Sequence, residues 1–189
     1  MIKGSHNSMT YIKPQKWWMK KYMCQTKTLK EQIKSGVRMF DIKVRFDSKD
    51  NVYITNGKYT SKINWTHVDF ISMICDTINL YANDKFYINI TLDTSDVSLG
   101  QEINFIQLCN KFVKSCSDNI IITGGRRSFD NEKVVVTLQD TMIAEAISGN
   151  DKRTRFYEKW FPVLFAKRMN EKNFKFWKNE DCIVSFDFL

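Results

Sequence analysis

The chain has 189 residues, of which 43% are hydrophobic and 14% are aromatic. This content is enough for a buried core in one domain, and it excludes an intrinsically disordered chain. The formal net charge of +8 favours an anionic partner, and nucleic acid, an anionic membrane and a phosphorylated substrate fit it equally well.

Apolar residues recur with a pattern that predicts strands alternating with helices. In chain order the predicted elements are a strand at 2–5, a helix at 26–34, strands at 37–46 and 52–55, a helix at 64–82, a strand at 86–92, a helix at 103–113, strands at 120–123 and 134–138, a helix at 155–169 and a strand at 183–188. Thr26 or Thr28 can cap the first helix, and Gly36 ends it. Asn56 and Gly57 predict a tight turn.

This alternation is typical of parallel βα units in an α/β fold. A closed (β/α)8 barrel usually takes about 250 residues, so this chain can form one only by trimming helices. The link from 123 to 133 is too short for a crossover helix, and no helix is predicted after the last strand. On pattern alone, an open α/β sheet remains a rival to a barrel.

The cysteines and the first residues of the chain bear on its location. Five cysteines contain no CxxC pair, and two histidines are too few for a zinc site. We therefore expect reduced, mostly buried thiols, which fits the cytosol. Because polar residues follow Met1 almost at once, no signal peptide is predicted, and no apolar run approaches the roughly 20 residues of a membrane span. The expected location is cytoplasmic.

Polar residues stand at the carboxyl ends of several predicted strands, where parallel strands of an α/β protein share one site. They are His6, Asn7, Asp41, Lys43, Asn56, Asp93 and Asp187. Such a set of residues can catalyse an acid–base reaction of an anionic substrate. The alternative is that they are turn and cap residues. That alternative suits Asp41 and Lys43 poorly, because two charges inside an apolar strand are costly without a purpose.

Sequence blocks at these positions resemble the X region of the phosphatidylinositol-specific phospholipase C family. Residues 4–10 (GSHNSMT) are similar to its opening motif, and residues 29–43 (LKEQIKSGVRMFDIK) to its second block. Residues 52–57 (VYITNG) stand where the family has an apolar strand ending in His-Gly. Residues 86–93 (FYINITLD) and 182–187 (CIVSFD) resemble two further strands, the last one carrying an aspartate.

The resemblance implies a single domain over residues 1–189, folded as a distorted, incomplete TIM-like barrel with trimmed helices. It also implies cleavage of a phosphoinositide or another phosphodiester by attack of the inositol 2-hydroxyl. His6 would be the base, with Asp187 as its orienting carboxylate, and Lys43 would bind the phosphate where the metal-independent branch has arginine. On the same resemblance, Asn7, Asp41 and Asp93 are expected to contact the substrate.

The sequence differs from the family at Asn56, where the family has its second catalytic histidine. Asparagine cannot protonate a leaving alkoxide, and losing a positioned acid typically costs about 10²–10⁴ in rate. Three alternatives follow: a slow enzyme, an enzyme for a substrate with a better leaving group, or an inactive module that binds a phosphorylated head group or another anion. The other histidine, His67, is interpreted as a helix-capping residue.

A calcium site is the alternative to metal-free chemistry. Asn7, Asp41 and Asp93 could offer oxygen ligands to Ca²⁺, but Lys43 would lie near the ion and repel it. We favour Lys43 as the substitute for the metal, and no cofactor is expected.

The segment KWWMKKY at residues 16–22 mixes aromatic side chains with lysines. Trp17 and Trp18 suit a membrane interface, and lysines attract anionic lipid. The alternative is that both tryptophans cover one mouth of the barrel.

A nucleic-acid partner is supported by the net charge alone, so no specific nucleic acid is expected. The sequence does not indicate an oligomeric state.

Overall fold

A computed structural model of the chain describes residues 2–93, 98–124, 135–136 and 183–186. The strands are β1 (Ile2–Ser5), β2 (Met39–Phe46), β3 (Val52–Asn56), β4 (Tyr59–Thr60), β5 (Phe86–Leu92), β6 (Ile120–Gly124), β7 (Val135–Val136) and β8 (Ile183–Phe186). The helices are α1 (Leu29–Lys34), α2 (His67–Asn79) and α3 (Leu99–Ser115), with a 3₁₀ segment at Trp17–Tyr22.

The strands form one sheet built around β2. Parallel strands lie in the order β7, β8, β1, β2, β5, β6. The long strand β2 pairs with β1 at its beginning and with the antiparallel β3–β4 hairpin at its end. Within the described residues β6 does not pair with β7, so the sheet there is not closed into a barrel. The fold is therefore mixed α/β, as predicted.

Strict alternation of side chains gives the central strands two different faces. On β2, Phe40, Ile42 and Val44 are almost fully buried, whereas the charged residues between them are half-buried. Strand β5 alternates in the same way, and in the β2–β5 register Asp41 lies opposite Asn89. Because successive side chains of a strand point to opposite faces, this pattern collects the polar groups on one face of the sheet.

Helix α1 begins and ends as its local sequence predicts. Thr28 is the N-cap, and its side chain and that of Glu31 form a reciprocal capping box. Gly36, just beyond the helix, has a φ of 90°, a conformation that glycine adopts without strain. The predicted start at Thr26 was too early, because the Thr28 cap sets the first turn.

The other two helices differ from the prediction at their first turns. Helix α2 is capped by the side chain of Thr66, so the interpretation of His67 as the cap was wrong. Helix α3 begins at Leu99, four residues before the predicted start, because the Ser98 hydroxyl accepts the N–H of Gln101 and starts the helix early.

The helices pack on the apolar face of the sheet. Phe70 of α2 meets Phe112 of α3 edge to face, with ring centroids 6.4 Å apart. Val68, in the first turn of α2, is 65% exposed although it is apolar. None of the described helices is both long and apolar enough to cross a bilayer.

Several predicted features lie outside the described residues. These are Asp187, the helix at 155–169, the link between 124 and 133, and the outer residues of the strands predicted at 134–138 and 183–188.

His67 is buried in the helical layer, 7% exposed, with its ring edge-on to Phe46 at 5.4 Å. Burial lowers the pKa of His67 below its ordinary value of 6.5, the charge of Lys111 lowers it further, and Asp50 opposes the shift. The unfolded chain therefore binds a proton more readily than the folded chain. The stability that neutral His67 provides is complete above the unfolded pKa and is lost as the pH falls through it.

We expect the urea midpoint of the protein to fall more steeply than that of the His67→Phe variant between about pH 7.5 and about pH 5.5. Urea titrations of both proteins across this range measure the difference. A His6→Gln variant, which keeps His67, should lose stability at least as steeply as the unmodified chain, because Asp41 favours protonated His6 and opposes the loss. Equal slopes with and without His67 would show that the ring is not the titrating group.

Candidate active site

The turn after β1 carries the first predicted site residues. Asn7 adopts a left-handed conformation with a φ of 44°, which asparagine tolerates better than most residues. Ser8 donates its hydroxyl to the Ser5 carbonyl and its N–H to the Asp41 carbonyl, each at 2.7 Å. The N–H of Asp41 donates back to Ser8 Oγ at 3.0 Å. These bonds fix His6 beside the strand that carries Asp41.

A second set of bonds holds this turn from the other side. The hydroxyl of Thr10 accepts the backbone N–H groups of Cys24 and Gln25, at 2.9 and 3.1 Å. The side-chain amide of Gln25 donates to the His6 carbonyl at 3.1 Å. The segment that follows the 3₁₀ turn is thereby packed against the histidine, and it brings Cys24 into the site.

His6 and Asp41 form the centre of the site. His6 Nε2 lies 3.8 Å from Asp41 Oδ2, and the two side chains are 16% and 14% exposed. Asp41 is held in place by the Asn89 amide at 2.9 Å and by the backbone N–H of Asn7 at 3.3 Å. A carboxylate at this distance favours the protonated imidazole, so the pair can stabilise a histidine that has accepted a proton.

The amide of Asn7 connects the histidine to the neighbouring thiol. Its nitrogen lies 3.0 Å from His6 Nε2 and donates to Cys24 Sγ at 3.5 Å. The amide N–H can donate only to an unprotonated ring nitrogen, which is the state that a general base requires. Asn7 Oδ1 is buried and accepts no hydrogen bond from the described residues.

Asn56 reaches the same site through Cys24. Its amide nitrogen donates to Cys24 Sγ at 3.2 Å and to the Tyr22 carbonyl at 2.9 Å. Asn7 and Asn56 therefore donate to one sulfur, and the structure brings Asn56 to the same cluster as His6. The side chain is held as a hydrogen-bond donor and offers no acidic proton.

Lys43 lies two residues beyond Asp41 on the same face of β2, and its side chain is half-buried. Within the described residues no hydrogen bond or ion pair engages its ammonium group, whereas the next residue on this face, Arg45, pairs with Asp93 at 3.4 Å. Lys43 is thus a cation on this strand face that an incoming anion can bind. Whether it meets His6 and Asp187 in one pocket stays a prediction, since Asp187 lies outside the described residues.

The residues proposed for calcium do not form one ligand set. Asp93 faces Arg45, while Asp41 accepts from Asn89 and from the Asn7 backbone. Across residues 2–93 and 98–124, no group of three or more histidine, cysteine or acidic side chains is placed to hold a metal ion. Two basic side chains share the strand face with Asp41, and their charges repel a divalent cation. The described residues therefore do not fit Ca²⁺.

Three residues of the site went unnoticed in the sequence. Asn89 and Arg45 were detectable from period-two alternation, which places them on the polar face with Asp41. Cys24 carried no such signal, because its position depends on bonds to the distant Thr10 hydroxyl. The expectation of mostly buried thiols did not anticipate a half-buried cysteine between Asn7 and Asn56.

The 3₁₀ segment presents an aromatic side chain to solvent. Trp17 is 83% exposed and Trp18 is 37% exposed, while Met19 is buried and anchors the segment. The alternative in which both tryptophans cover the mouth of a barrel is wrong for Trp17. The lysines of the segment are exposed as well: Lys16, Lys20 and Lys21.

Comparison with known families agrees with this geometry. Residues 1–124 match the family model of the phosphatidylinositol-specific phospholipase C X domain. The match covers well over half of the chain and includes β1 to β6, so the chain belongs to this family. No curated protein matches the sequence significantly.

Solved structures of phosphatidylinositol-specific phospholipase C from Staphylococcus aureus share the fold. A form with incorporated pentafluorophenylalanine is 16% identical, with a TM-score of 0.66, over 99% of this chain and 85% of that one. A form solved in work on modulation of its membrane binding is 15% identical, with a TM-score of 0.63, over the same shares of both chains. At this level of identity the likeness concerns the fold alone.

Proposed function

We propose that the chain is a phospholipase C-type phosphodiesterase that cleaves the head-group phosphodiester of a phosphoinositide, with His6 as the base. The observation that carries the proposal is the pairing of His6 with Asp41 at the carboxyl end of β1, within the segment that matches the family. The proposal includes a single domain over residues 1–189 and an incomplete TIM-like barrel with trimmed helices.

The reaction follows from the positions of these groups. His6 Nε2 takes the proton of the inositol 2-hydroxyl, and the oxygen attacks phosphorus. Lys43 steadies the phosphoryl oxygens, and Asp41 stabilises the imidazolium that forms. The bond to the glycerol oxygen breaks, which gives a cyclic inositol phosphate and diacylglycerol. Asp187 remains the second carboxylate predicted to orient His6.

The weak step is protonation of the leaving alkoxide. Asn56 stands where the family has its second histidine, and its amide is already engaged with Tyr22 and Cys24. Water must then supply the proton, so we expect slow turnover of lipid substrates and better turnover of substrates whose leaving group is stable as an anion.

A second candidate function is supported by the same substitution. Asn56 leaves the chain without the general acid, while Lys43 has no ion-pair partner within the described residues and the net charge is +8. Such a chain can serve as a non-catalytic module that binds a phosphorylated head group.

Incubation with phosphatidylinositol vesicles, with and without a chelator, tests both candidates. We expect slow release of cyclic inositol phosphate that the chelator leaves unchanged, because side-chain cations replace the metal. Release that stops with chelator and returns with Ca²⁺ would overturn the metal-free mechanism. Saturable binding of inositol phosphate without any release would favour the module.

We also propose that Trp17 and its neighbouring lysines attach the protein peripherally to anionic membranes from the cytoplasm. An S. aureus relative solved in work on membrane binding supports this. We expect Trp17→Ala to weaken binding to phosphatidylinositol-containing vesicles about tenfold, since the indole would lose its apolar contact with lipid.

Val113 provides the matched control, because it is an exposed apolar residue on α3 at the opposite end of the sheet (61% exposed). Vesicle sedimentation of Val113→Ala should match that of the unmodified chain. Equal losses in the two variants would show that binding depends on general surface apolarity and not on the 3₁₀ segment.

A further inference from the structure

Two cysteines meet in the helical layer, far from each other in sequence. Cys75 Sγ of α2 lies 3.6 Å from Cys116 Sγ, and the residues are 41 positions apart. Cys75 is 6% exposed, and Cys116 is half-buried at the end of α3. A disulfide bond is about 2.05 Å long, so these sulfurs are in contact without being bonded. They are neighbouring free thiols.

The pair lies beside a cavity of about 430 Å³ between α2 and α3. Cys75 lines this cavity together with Lys111 and Lys114 of α3, and with Asp76 beside it on α2. Cys75 keeps only 6% of its surface exposed, so this cavity is the route by which a small polar molecule would approach it.

The contact makes the two thiols chemically different. The contact with the Cys116 thiol lowers the pKa of Cys75, against the opposing effects of burial and of the Asp76 charge. The same contact and burial raise the pKa of Cys116. Because the thiolate is the reactive form of cysteine, and Cys75 is the member of the pair that lines the cavity, Cys75 is the nucleophile.

We propose that Cys75 and Cys116 are a peroxide-sensitive dithiol that closes to a reversible disulfide. The Cys75 thiolate attacks one oxygen of hydrogen peroxide, which breaks the O–O bond, gives a sulfenic acid and releases hydroxide, which takes up a proton to become water. The Cys116 sulfur then attacks the sulfenic sulfur, and the second oxygen leaves as water. Two thiols are oxidised and one peroxide is reduced to two waters.

Local structure allows the sulfurs to close the remaining distance. Cys116 has an extended backbone (φ −82°, ψ 147°) and lies just past the last helical residue, in the short connection from α3 to β6. Cys75 lies within the regular part of α2. The sulfurs must approach each other by about 1.5 Å to bond, and Cys116 lies outside the regular helix, where the backbone can take up this movement.

The disulfide would change the stability of the helical layer and would leave catalysis unchanged. The ends of α2 and α3 lead into β5 and β6, at the amino ends of the strands, whereas His6 lies at the carboxyl end of β1. A link from α2 to the α3–β6 connection closes a long loop and restricts the unfolded chain. We expect the melting temperature to rise by about 5–10 °C on oxidation.

Treating the full chain with a small excess of hydrogen peroxide, alkylating the remaining thiols and mapping the peptides by mass spectrometry tests the proposal. The expected product is a peptide pair cross-linked through Cys75 and Cys116, lost again on reduction with dithiothreitol. In Cys116→Ser, a sulfenic acid at Cys75 should be trapped by dimedone instead.

Cys109→Ser is the matched control, because Cys109 lies on the same helix and burial raises its pKa to about 11. This variant should form the cross-link as readily as the unmodified chain. The map of the unmodified chain decides the matter even if a variant fails to fold. The proposal would be overturned if peroxide consumed the other thiols while Cys75 and Cys116 remained free and were alkylated.

Discussion

Turnover of both phosphatidylinositol and an activated inositol phosphate is expected to fall by about 10²–10⁴-fold when His6 is replaced by alanine. The imidazole is the group that can accept the 2-hydroxyl proton, and Asp41 lies within 3.8 Å to stabilise the charge that it acquires. Initial rates with lipid vesicles and with a soluble nitrophenyl inositol phosphate measure the loss.

His67→Ala is the control for this experiment, since His67 is the only other histidine and is buried against Phe46 in the helical layer. That variant should keep its rate per folded molecule, although it is less stable. Activity that is indifferent to His6 would show that the family mechanism does not operate in this chain.

Much of the polar face could be predicted from local sequence. The capping box at Thr28 and Glu31 fixes the start of α1, and Gly36 fixes its end. The strand that follows carries Asp41 and Lys43 among apolar residues, a pattern that indicates one buried and one polar face. These features depend on neighbours within a few residues, so the sequence alone is enough to detect them.

The contacts between distant segments could not be predicted. Asn56 meets Cys24 only because Thr10 holds the intervening segment against the β1 turn. The choice between a closed barrel and an open sheet likewise depends on pairings between strands far apart in the chain. Local propensity carries no information on such pairings, since their free energy comes from packing and from the closure of long loops.

The motif at residues 4–10 identifies His6 but does not determine which side chains surround it. Residues 4–10 indicated His6 as a site residue, and the described carboxylate beside it is Asp41. Asp187, predicted to orient His6, lies outside the described residues. Strand β2 brings the Asp41 carboxylate close because β1 and β2 pair in parallel, with Ser5 opposite Phe40. The register of that pairing, and not the motif, sets the distance.

Replacing Asn56 with histidine is expected to raise the turnover of phosphatidylinositol by about 100-fold or more, the usual contribution of a positioned general acid. The new imidazole can donate to the Tyr22 carbonyl as the amide of Asn56 does at 2.9 Å, which keeps the ring at the site. The same variant should barely change the turnover of the nitrophenyl substrate, because a nitrophenolate leaves without a proton. Parallel rate measurements on the two substrates separate acid catalysis from a general gain in activity.

Asn110→His controls for the added imidazole, since Asn110 is exposed on α3 and contacts none of the site residues through a hydrogen bond. It should leave both rates unchanged. An equal gain with both substrates would mean that the Asn56 variant improves binding or folding and not proton transfer. No gain with either substrate, in a variant that folds normally, would favour the binding module, with Lys43 holding the phosphate and no protonation step left to restore.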